Sequence, residues 1–364
     1  MTQVTKGLLA RGLVVELENA PSQGGRPGRL LGLDSRTKVA FGAKVTEDHV
    51  AVVRMALDGT VERSWTEPFE ARRADAVDAL ATYLAGVLKD HDPTGTLGVG
   101  VAIPGSVDHQ ASGVVDAPTL DWRSLQVGQI LRDRLRLPVL VENDVNAVTI
   151  AERLYGRGRE HDCFLTATIG RGVGAGLISE GALYRGAFGG AGEIGHFPVS
   201  ADGRPCTCGN QGCLESIAGE QGLVRTAVER GILRAGEGLP ALREMATSGD
   251  AAARQVFADA GEVLGRVLAG VVHVIDPEVV VILGEGVDDW PWWEVGFQSA
   301  FRSHLIQARR GIPVLVERWS DESWAQGAAA LVLATPFDSS GTAGEQGRMM
   351  RARMSQPIPE GSVS

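Results

Sequence analysis

Three cysteines within eight positions are the residues of this chain whose chemistry is easiest to predict. With a histidine that precedes them by ten residues, they form the set His196, Cys206, Cys208 and Cys213. Three thiolates and one imidazole complete a tetrahedral shell for Zn²⁺, and a shell without an open position is structural rather than catalytic. Free or disulfide-bonded thiols are the alternative, which the clustering of three of the four cysteines disfavours. We therefore predict a structural zinc site, with Cys163 as a small buried hydrophobic residue.

A second group of polar residues, Glu142-Asn143-Asp144, comes directly after the apolar run 138–141. A carboxylate at the end of a strand can accept the proton of a substrate hydroxyl, while neighbouring amides bind the other hydroxyls. The alternative is a turn or a helix cap, which is the commoner use of Asp and Asn after a strand. The three residues alone leave both interpretations open.

Two glycine-rich loops follow predicted strands. The first spans 168–176 and contains Gly170, Gly172 and Gly174, and the second is Gly284-Glu285-Gly286. Glycine after a strand lets backbone amides face a phosphate or a sugar. A tight turn between strands is the alternative for each loop.

Length and composition limit the class of protein. The chain has 364 residues, of which 44% are hydrophobic, so it is neither wholly disordered nor a small disulfide-stapled domain. The net charge of −10 argues against a surface coated with basic patches for nucleic acid. No apolar run is long enough to span a membrane, and the first residues do not resemble a secretory signal. We therefore expect a cytoplasmic protein with reduced thiols and no membrane partner.

Residues 1–36 have the pattern of a separate small module. A short helix containing Val4 and Leu8 precedes two strand-like runs, 13–17 and 30–33, joined by a polar turn. A helix followed by a ribbon with arginines at its tip is typical of the last half of a winged helix-turn-helix, and an ordinary helix and hairpin is an equal alternative. In the DNA-binding interpretation Lys6, Arg26 and Arg29 contact DNA. This module carries a net charge of +2 and the rest of the chain −12.

The remaining chain alternates strands with helices, which predicts an α/β architecture with ligand loops at strand ends. The pattern predicts a hairpin around Asp58-Gly59, helices over 73–89 and about 250–274, and strands over 97–103, 139–142, 164–169 and 279–283. After Pro336 the chain loses its periodicity, and we predict a disordered tail over 336–364.

In this order the motifs closely resemble the ROK family (repressors, open reading frames and kinases). The matching segments are IPG at 103–105, APTLDW at 117–122, END at 142–144, GEIGH at 192–196, CTCGNQGCLE at 206–215 and DPE at 276–278. The combination of the histidine with the cysteine motif is highly specific to this family. Residues 1–36 are similar to the end of the winged helix in its repressor branch.

This resemblance implies an actin/hexokinase-like (RNase H-like) α/β ATPase fold whose two lobes close on a sugar, in a homodimer or homotetramer. We expect a small lobe of 37–120 with 320–335, and a large lobe of 121–319 that holds the zinc. The resemblance implies that sugar hydroxyls are bound by Asn143, Asp144, Glu193, His196 and Glu215. Asp144 would be the catalytic base in a kinase, and zinc would hold the segment that carries Glu193.

The chain departs from the kinase members of the family in its nucleotide loops. Those kinases carry an Asp-x-Gly-x-Thr type loop, whereas here Lys44 replaces the aspartate that organises Mg²⁺ and Thr46 replaces a glycine. A lysine cannot ligate Mg²⁺ through an oxygen, and a side chain at Thr46 crowds the phosphate path. Arg171 and Glu285 also interrupt the other two nucleotide elements, so we expect Gly170, Gly172, Gly174 and Gly284 to belong to degenerate loops.

The main hypothesis is therefore a sugar-responsive transcriptional regulator, with sugar and operator DNA as partners and no kinase activity. The first alternative is an ATP- and Mg²⁺-dependent sugar kinase with Asp144 as base. The second is a chain that, as given, binds sugar but not DNA, because little sequence precedes the recognition-helix position.

Overall fold

Buried strands and amphipathic helices build two units, each around its own five-stranded sheet. The computed structural model describes residues 2–19, 29–34, 37–317, 320–338, 341 and 343–356. Unit 1 contains Met1–Gly156 and Glu322–Ser364, and unit 2 contains Arg157–Asp321. The α/β class is confirmed, but the expected boundary at residue 121 is wrong. The chain stays in unit 1 to Gly156 because the strand Val139–Asn143 pairs in parallel with the strand Thr96–Ile103 of that sheet.

Unit 1 has ten strands and six α-helices among its described residues. The strands are β1 (Val14–Asn19), β2 (Arg29–Leu33), β3 (Val39–Val45), β4 (His49–Ala56), β5 (Val61–Pro68), β6 (Thr96–Ile103), β7 (Ser106–Val107), β8 (Val115–Ala117), β9 (Trp122–Leu125) and β10 (Val139–Asn143). The helices are α1 (Gln3–Ala10), α2 (Ala76–Leu88), α3 (Val127–Leu135), α4 (Asp144–Leu154), α10 (Asp321–Ala334) and α11 (Gly344–Ser355). The main sheet has the order β10-β6-β3-β4-β5.

Unit 2 has five strands and five α-helices among its described residues. The strands are β11 (Phe164–Ile169), β12 (Val173–Ser179), β13 (Ala182–Leu183), β14 (Val279–Leu283) and β15 (Val314–Val316). The helices are α5 (Glu215–Ala218), α6 (Glu220–Glu229), α7 (Leu239–Thr247), α8 (Ala251–Ile275) and α9 (Trp290–His304). The sheet has the order β13-β12-β11-β14-β15, and a core formed largely by α8 and α9 packs beside it.

Helix α10 lies unusually close to the main sheet of unit 1. A Cβ atom at Gly42 would lie 2.0 Å from the carbonyl oxygen of Ala325, and one at Gly100 would lie 1.8 Å from that of Ala328. Two glycines are required here because no side chain fits between the sheet and the helix backbone. This close approach fixes the first turn of α10, which carries Trp324, relative to β3.

The helix and ribbon expected at the start of the chain are present as α1, β1 and β2, with β1 and β2 antiparallel. Leu13 is buried in the same hydrophobic cluster of unit 1 as Met350 and Met354 of α11. The predicted tip of the ribbon, with Arg26, lies outside the described residues.

The expectation of a disordered tail is wrong for 344–355, which form α11. Met350 and Met354 are buried, and the side-chain oxygen of Gln346 accepts a hydrogen bond of 3.3 Å from the Val139 amide. The Lys38 ammonium donates to the Arg353 carbonyl at 2.9 Å. The sequence pattern missed this helix because so few of its residues are apolar, and its stability depends on tertiary packing.

We predict that Met350→Ala destabilises unit 1 by about 2–4 kcal/mol, because truncating a fully buried Met leaves a cavity. Met350 is 0% exposed, whereas its neighbour Met349 is 42% exposed. Met349→Ala is the matched control, with an expected change below about 0.5 kcal/mol. Urea denaturation measures both; equal effects of the two substitutions would show that α11 is not part of the folded core.

No helix in the described part of the chain is both long enough and apolar enough to cross a membrane.

Candidate functional site

The junction between β10 and α4 carries the first predicted site residues. Asn143 ends β10, and its side-chain oxygen caps α4 by accepting a hydrogen bond from the Asn146 amide at 3.1 Å. Its side-chain nitrogen donates to the Gly105 carbonyl at 2.9 Å. The helix-cap interpretation is therefore correct for Asn143. The cap also orients the amide, which retains one N–H and one lone pair for a ligand.

A buried carboxylate supports this junction. Glu142 is buried, and its Oε2 accepts a hydrogen bond of 2.8 Å from the side chain of Gln110. Its Oε1 accepts from the Asn143 amide at 2.9 Å and from the Asn146 side chain at 3.2 Å. Sequence reasoning missed Gln110, which lies 32 residues before its partner. The only sequence signal for such a partner was Glu142 itself, because a charged residue in an apolar strand needs hydrogen-bond donors.

Lys44 and Asp144 form a buried ion pair within unit 1. The ammonium of Lys44 on β3 donates to Oδ2 of Asp144, the first residue of α4, and their side chains are 7% and 12% exposed. Oδ1 of Asp144 accepts a hydrogen bond of 2.9 Å from the Val145 amide. The ammonium also lies 4.9 Å from the ring centroid of Trp324, a cation–π distance. Both oxygens of the candidate base thus already accept hydrogen bonds.

The side chain of Thr46 takes part in the turn between β3 and β4. Its hydroxyl donates to Asp48 Oδ1 at 2.9 Å and accepts from the His49 amide at 3.0 Å. A threonine at this position therefore stabilises a local turn, a role that a glycine could not fill.

The four predicted metal ligands are brought together in unit 2. The ligand atoms of His196, Cys206, Cys208 and Cys213 all lie within 4.8 Å of one another. Nδ1 of His196 is 3.6 Å from the Cys206 sulfur, and the Cys208 and Cys213 sulfurs are 3.7 Å apart. Ligands about 2.0–2.3 Å from a tetrahedral Zn²⁺ are separated by about 3.5–3.8 Å. The donor set and its spacing therefore fit zinc.

Protonation of these thiols opposes metal binding. Burial, together with the hydrogen bonds that its thiol donates to the neighbouring cysteines, raises the pKa of Cys213 to about 12, whereas the Asn210 amide lowers the pKa of Cys208. Metal binding would therefore release the protons of those cysteines that are still thiols.

The predicted sugar-binding residues of unit 2 lie around this cluster. Nε2 of His196 is 3.7 Å from Oε2 of Glu193, so the imidazole can bind metal through Nδ1 while it faces a carboxylate with its other nitrogen. Glu215 begins α5, and its Oε2 accepts a hydrogen bond of 3.1 Å from the Val173 amide. The first contact links the predicted metal site to Glu193, and the second links Glu215 to the glycine loop.

Carboxylates occupy the space beside the first glycine loop. A Cβ at Gly170 would lie 2.1 Å from Oε2 of Glu285, and one at Gly172 would lie 2.5 Å from Oε2 of Glu215. Gly284 has a φ of +104°, a conformation that favours glycine, and Gly174 lies within β12. Two carboxylates therefore lie directly against this loop.

A cavity of about 80 Å³ adjoins the same loop. Its lining includes Gly170, Arg171, Arg243, Glu285, Asp289 and Trp293. Arg243 donates to Asp289 at 2.7 Å, yet burial still raises the pKa of Asp289. The cavity is large enough for a few water molecules and too small for a nucleotide.

Two of the three predicted DNA-contacting residues lie on the described part of the N-terminal module. Lys6 is exposed on α1, and Arg29 begins β2, where it forms an ion pair with Glu16 of β1. The ion pair reduces the charge that Arg29 can offer to a phosphate.

Two α/β units, each built around a five-stranded sheet, define a protein with an actin/hexokinase-like fold. The ROK family model matches residues 46–335. The chain therefore belongs to the ROK family.

Comparison with individual proteins links the chain to both branches of this family. It is 27% identical over 299 residues to the xylose repressor of Caldicellulosiruptor bescii, covering 78% of this chain and 74% of that protein. It is 26% identical over 345 residues to the DNA-binding transcriptional dual regulator NagC of Escherichia coli, covering 91% and 84%. A glucokinase of Streptomyces griseus, solved with glucose and AMPPNP, superimposes with a TM-score of 0.71 at 30% identity, covering 80% of this chain and 98% of the kinase.

Proposed function

We propose that this protein is a sugar-responsive transcriptional regulator that binds a sugar but does not phosphorylate it. The observation that carries this proposal is the buried ion pair between Lys44 and Asp144. A catalytic base needs a lone pair within reach of the substrate hydroxyl and a low cost of accepting its proton. Both oxygens of Asp144 already accept hydrogen bonds, from Lys44 and from the Val145 amide, and no carboxylate stands at position 44 to hold Mg²⁺.

Sugar recognition in this proposal uses the residues that the family resemblance assigns to it. Asn143, Asp144, Glu193, His196 and Glu215 bind sugar hydroxyls. His196, Cys206, Cys208 and Cys213 would hold zinc, and this coordination would fix the orientation of His196 and, through it, of Glu193. The similarity to a xylose repressor and to a glucokinase crystallised with glucose supports a monosaccharide ligand.

The N-terminal module supports the DNA-binding part of the proposal. The similarity to NagC covers 91% of this chain, whereas the glucokinase covers 80%. In this proposal α1, β1 and β2 form part of a winged helix that contacts operator DNA through Lys6, Arg26 and Arg29. The sugar changes operator affinity by favouring one arrangement of these modules in a homodimer or homotetramer.

A sugar kinase is the second candidate function. The 30% identity to a glucokinase and the presence of Asp144 favour it. It would require ATP and Mg²⁺, with Asp144 as the base.

A calorimetric and enzymatic comparison separates these two functions. We expect D-glucose, D-xylose or N-acetyl-D-glucosamine to bind in the absence of ATP. ADP release with ATP and Mg²⁺ should not exceed that of Asp144→Asn, which removes the base and is measured where circular dichroism shows that it is folded. Lys44→Asp should raise ADP release, because it frees Asp144 and supplies a Mg²⁺ ligand. Turnover by the unaltered protein above the Asp144→Asn control would establish the kinase.

DNA binding is tested separately by selecting genomic fragments on the purified protein with and without the sugar that binds. A fragment retained in only one of the two conditions is the expected result. Equal retention in both conditions, or none in either, would contradict the regulator.

A further inference from the structure

Lys44 is a buried lysine whose hydrogen-bonding capacity is only partly used. Its ammonium has three N–H donors. Within the described residues it has one oxygen acceptor, Asp144 Oδ2, and one aromatic neighbour, the ring of Trp324. Burying an ammonium costs several kcal/mol unless oxygen acceptors replace its water. The remaining donors therefore favour another oxygen close to Asp144.

Asp144 offers acceptor capacity at the same place. An ionised carboxylate has about four lone-pair sites, and Val145 and Lys44 use two of them. A donor and an acceptor thus lie side by side at the start of α4. A hydroxyl group both donates and accepts a hydrogen bond, so one hydroxyl can bind Lys44 and Asp144 together. Two adjacent hydroxyls of a sugar can also bind the pair, one at each residue.

We propose that Lys44 is itself a ligand-contacting residue, an inference that rests on the proposed sugar recognition. Its ammonium donates to the sugar oxygen that Asp144 also contacts, and it supplies the positive charge at this position without Mg²⁺. The ligand class is an uncharged monosaccharide, since the Asp144 carboxylate offsets the ammonium and would repel a phosphate or a sugar acid.

The position of Lys44 supports this role. β3 presents it beside α4, while Gly42 lets α10 approach the sheet and place Trp324 over the ammonium. The ring and the carboxylate hold the long side chain in one place, which reduces the entropy lost when the ligand binds. A flexible surface lysine would lack this preorganisation.

The test compares two lysines that are both buried. Lys38 precedes β3, donates to the carbonyls of Thr94 and Arg353, and lies about 20 Å from Lys44 along an extended chain. Calorimetry on the full chain uses D-glucose, D-xylose, N-acetyl-D-glucosamine and glucose 6-phosphate, each with and without Mg²⁺. Circular dichroism verifies that each variant is folded.

For the sugar that binds, Lys44→Met should weaken affinity about tenfold or more, while Lys38→Met changes it less than about twofold. Added Mg²⁺ should not change the affinity of the unaltered protein. Equal affinities of Lys44→Met and the unaltered protein would overturn the role of Lys44 and leave sugar recognition intact. A preference for glucose 6-phosphate would overturn the uncharged ligand class. Failure of the unaltered protein to bind any of these sugars would overturn the proposed function, and this assignment with it.

Discussion

Replacing Cys213 with serine is expected to abolish zinc binding and to destabilise unit 2. Cys213 is the buried member of the ligand set, so its loss leaves three ligands and a hydroxyl that binds zinc poorly. Apparent zinc-binding free energies of about 10–16 kcal/mol in small zinc domains contribute directly to folding. Unit 2 also has a large apolar core, so we expect the loss to be several kcal/mol rather than complete unfolding.

The measurements are zinc content by plasma emission spectroscopy and thermal unfolding. Zinc should fall from about one ion per chain to a small fraction, and Tm should fall by roughly 10 °C for a loss of several kcal/mol in a domain of this size. The chain offers a matched control in Cys163→Ser, because Cys163 lies outside the ligand cluster and contacts the Ile275 carbonyl instead. This control should keep its zinc. A Cys213→Ser variant that still carries one zinc ion per chain would refute the site. An unaltered protein that contains no zinc after purification from zinc-containing medium would also refute it.

The same substitution should also weaken sugar binding under the proposed function. His196 faces the cysteines with Nδ1 and Glu193 with Nε2, so a lost metal releases the imidazole that orients the carboxylate. Loss of a group that orients a binding residue in this way typically lowers affinity by about 10–100-fold. Cys163→Ser should bind sugar normally.

Breaking the ion pair between Lys44 and Asp144 is expected to have the largest effect on unit 1. Lys44→Met leaves a largely buried carboxylate without its cation, and Asp144→Asn leaves a buried ammonium without its anion. Each should destabilise unit 1 by about 3–5 kcal/mol. The double variant removes both charges, so its loss should be at least about 2 kcal/mol smaller than the sum of the single losses.

The exposed pair Arg73 and Asp75 is the control for this double-mutant cycle. Its side chains are 51% and 59% exposed, and pairs of this kind typically couple by about 0–1 kcal/mol. Urea denaturation followed by circular dichroism gives the four free energies of unfolding for each cycle. Additive losses at Lys44 and Asp144, within about 0.5 kcal/mol, would show that the two charges do not stabilise each other.

Local patterns in the sequence predicted the elements that carry the site. The strands around Asn143 and Gly170 and the long helix α8 were all expected, because strong hydrophobic periodicity predicts such elements. The helix α11 was missed because its apolar residues are sparse, and the buried pocket for Met350 exists only in the folded unit. The boundary of unit 1 was misplaced because the pairing of β10 with β6 depends on residues far apart in the chain.

The sequence by itself was enough to predict the cluster of His196, Cys206, Cys208 and Cys213 that the structure brings together, since three cysteines in eight positions and one nearby histidine leave few other uses for those side chains. It also determined the family, because motifs with fixed local spacing need no tertiary information to be recognised. Only the tertiary structure decided that Lys44 pairs with Asp144, which lies 100 residues away, and that the Trp324 ring lies against the Lys44 ammonium. Only the tertiary structure also decided that Glu285 faces Gly170. The physical reason is that a buried charge is stabilised by whichever groups the fold brings within a few ångströms, and sequence spacing does not encode that distance.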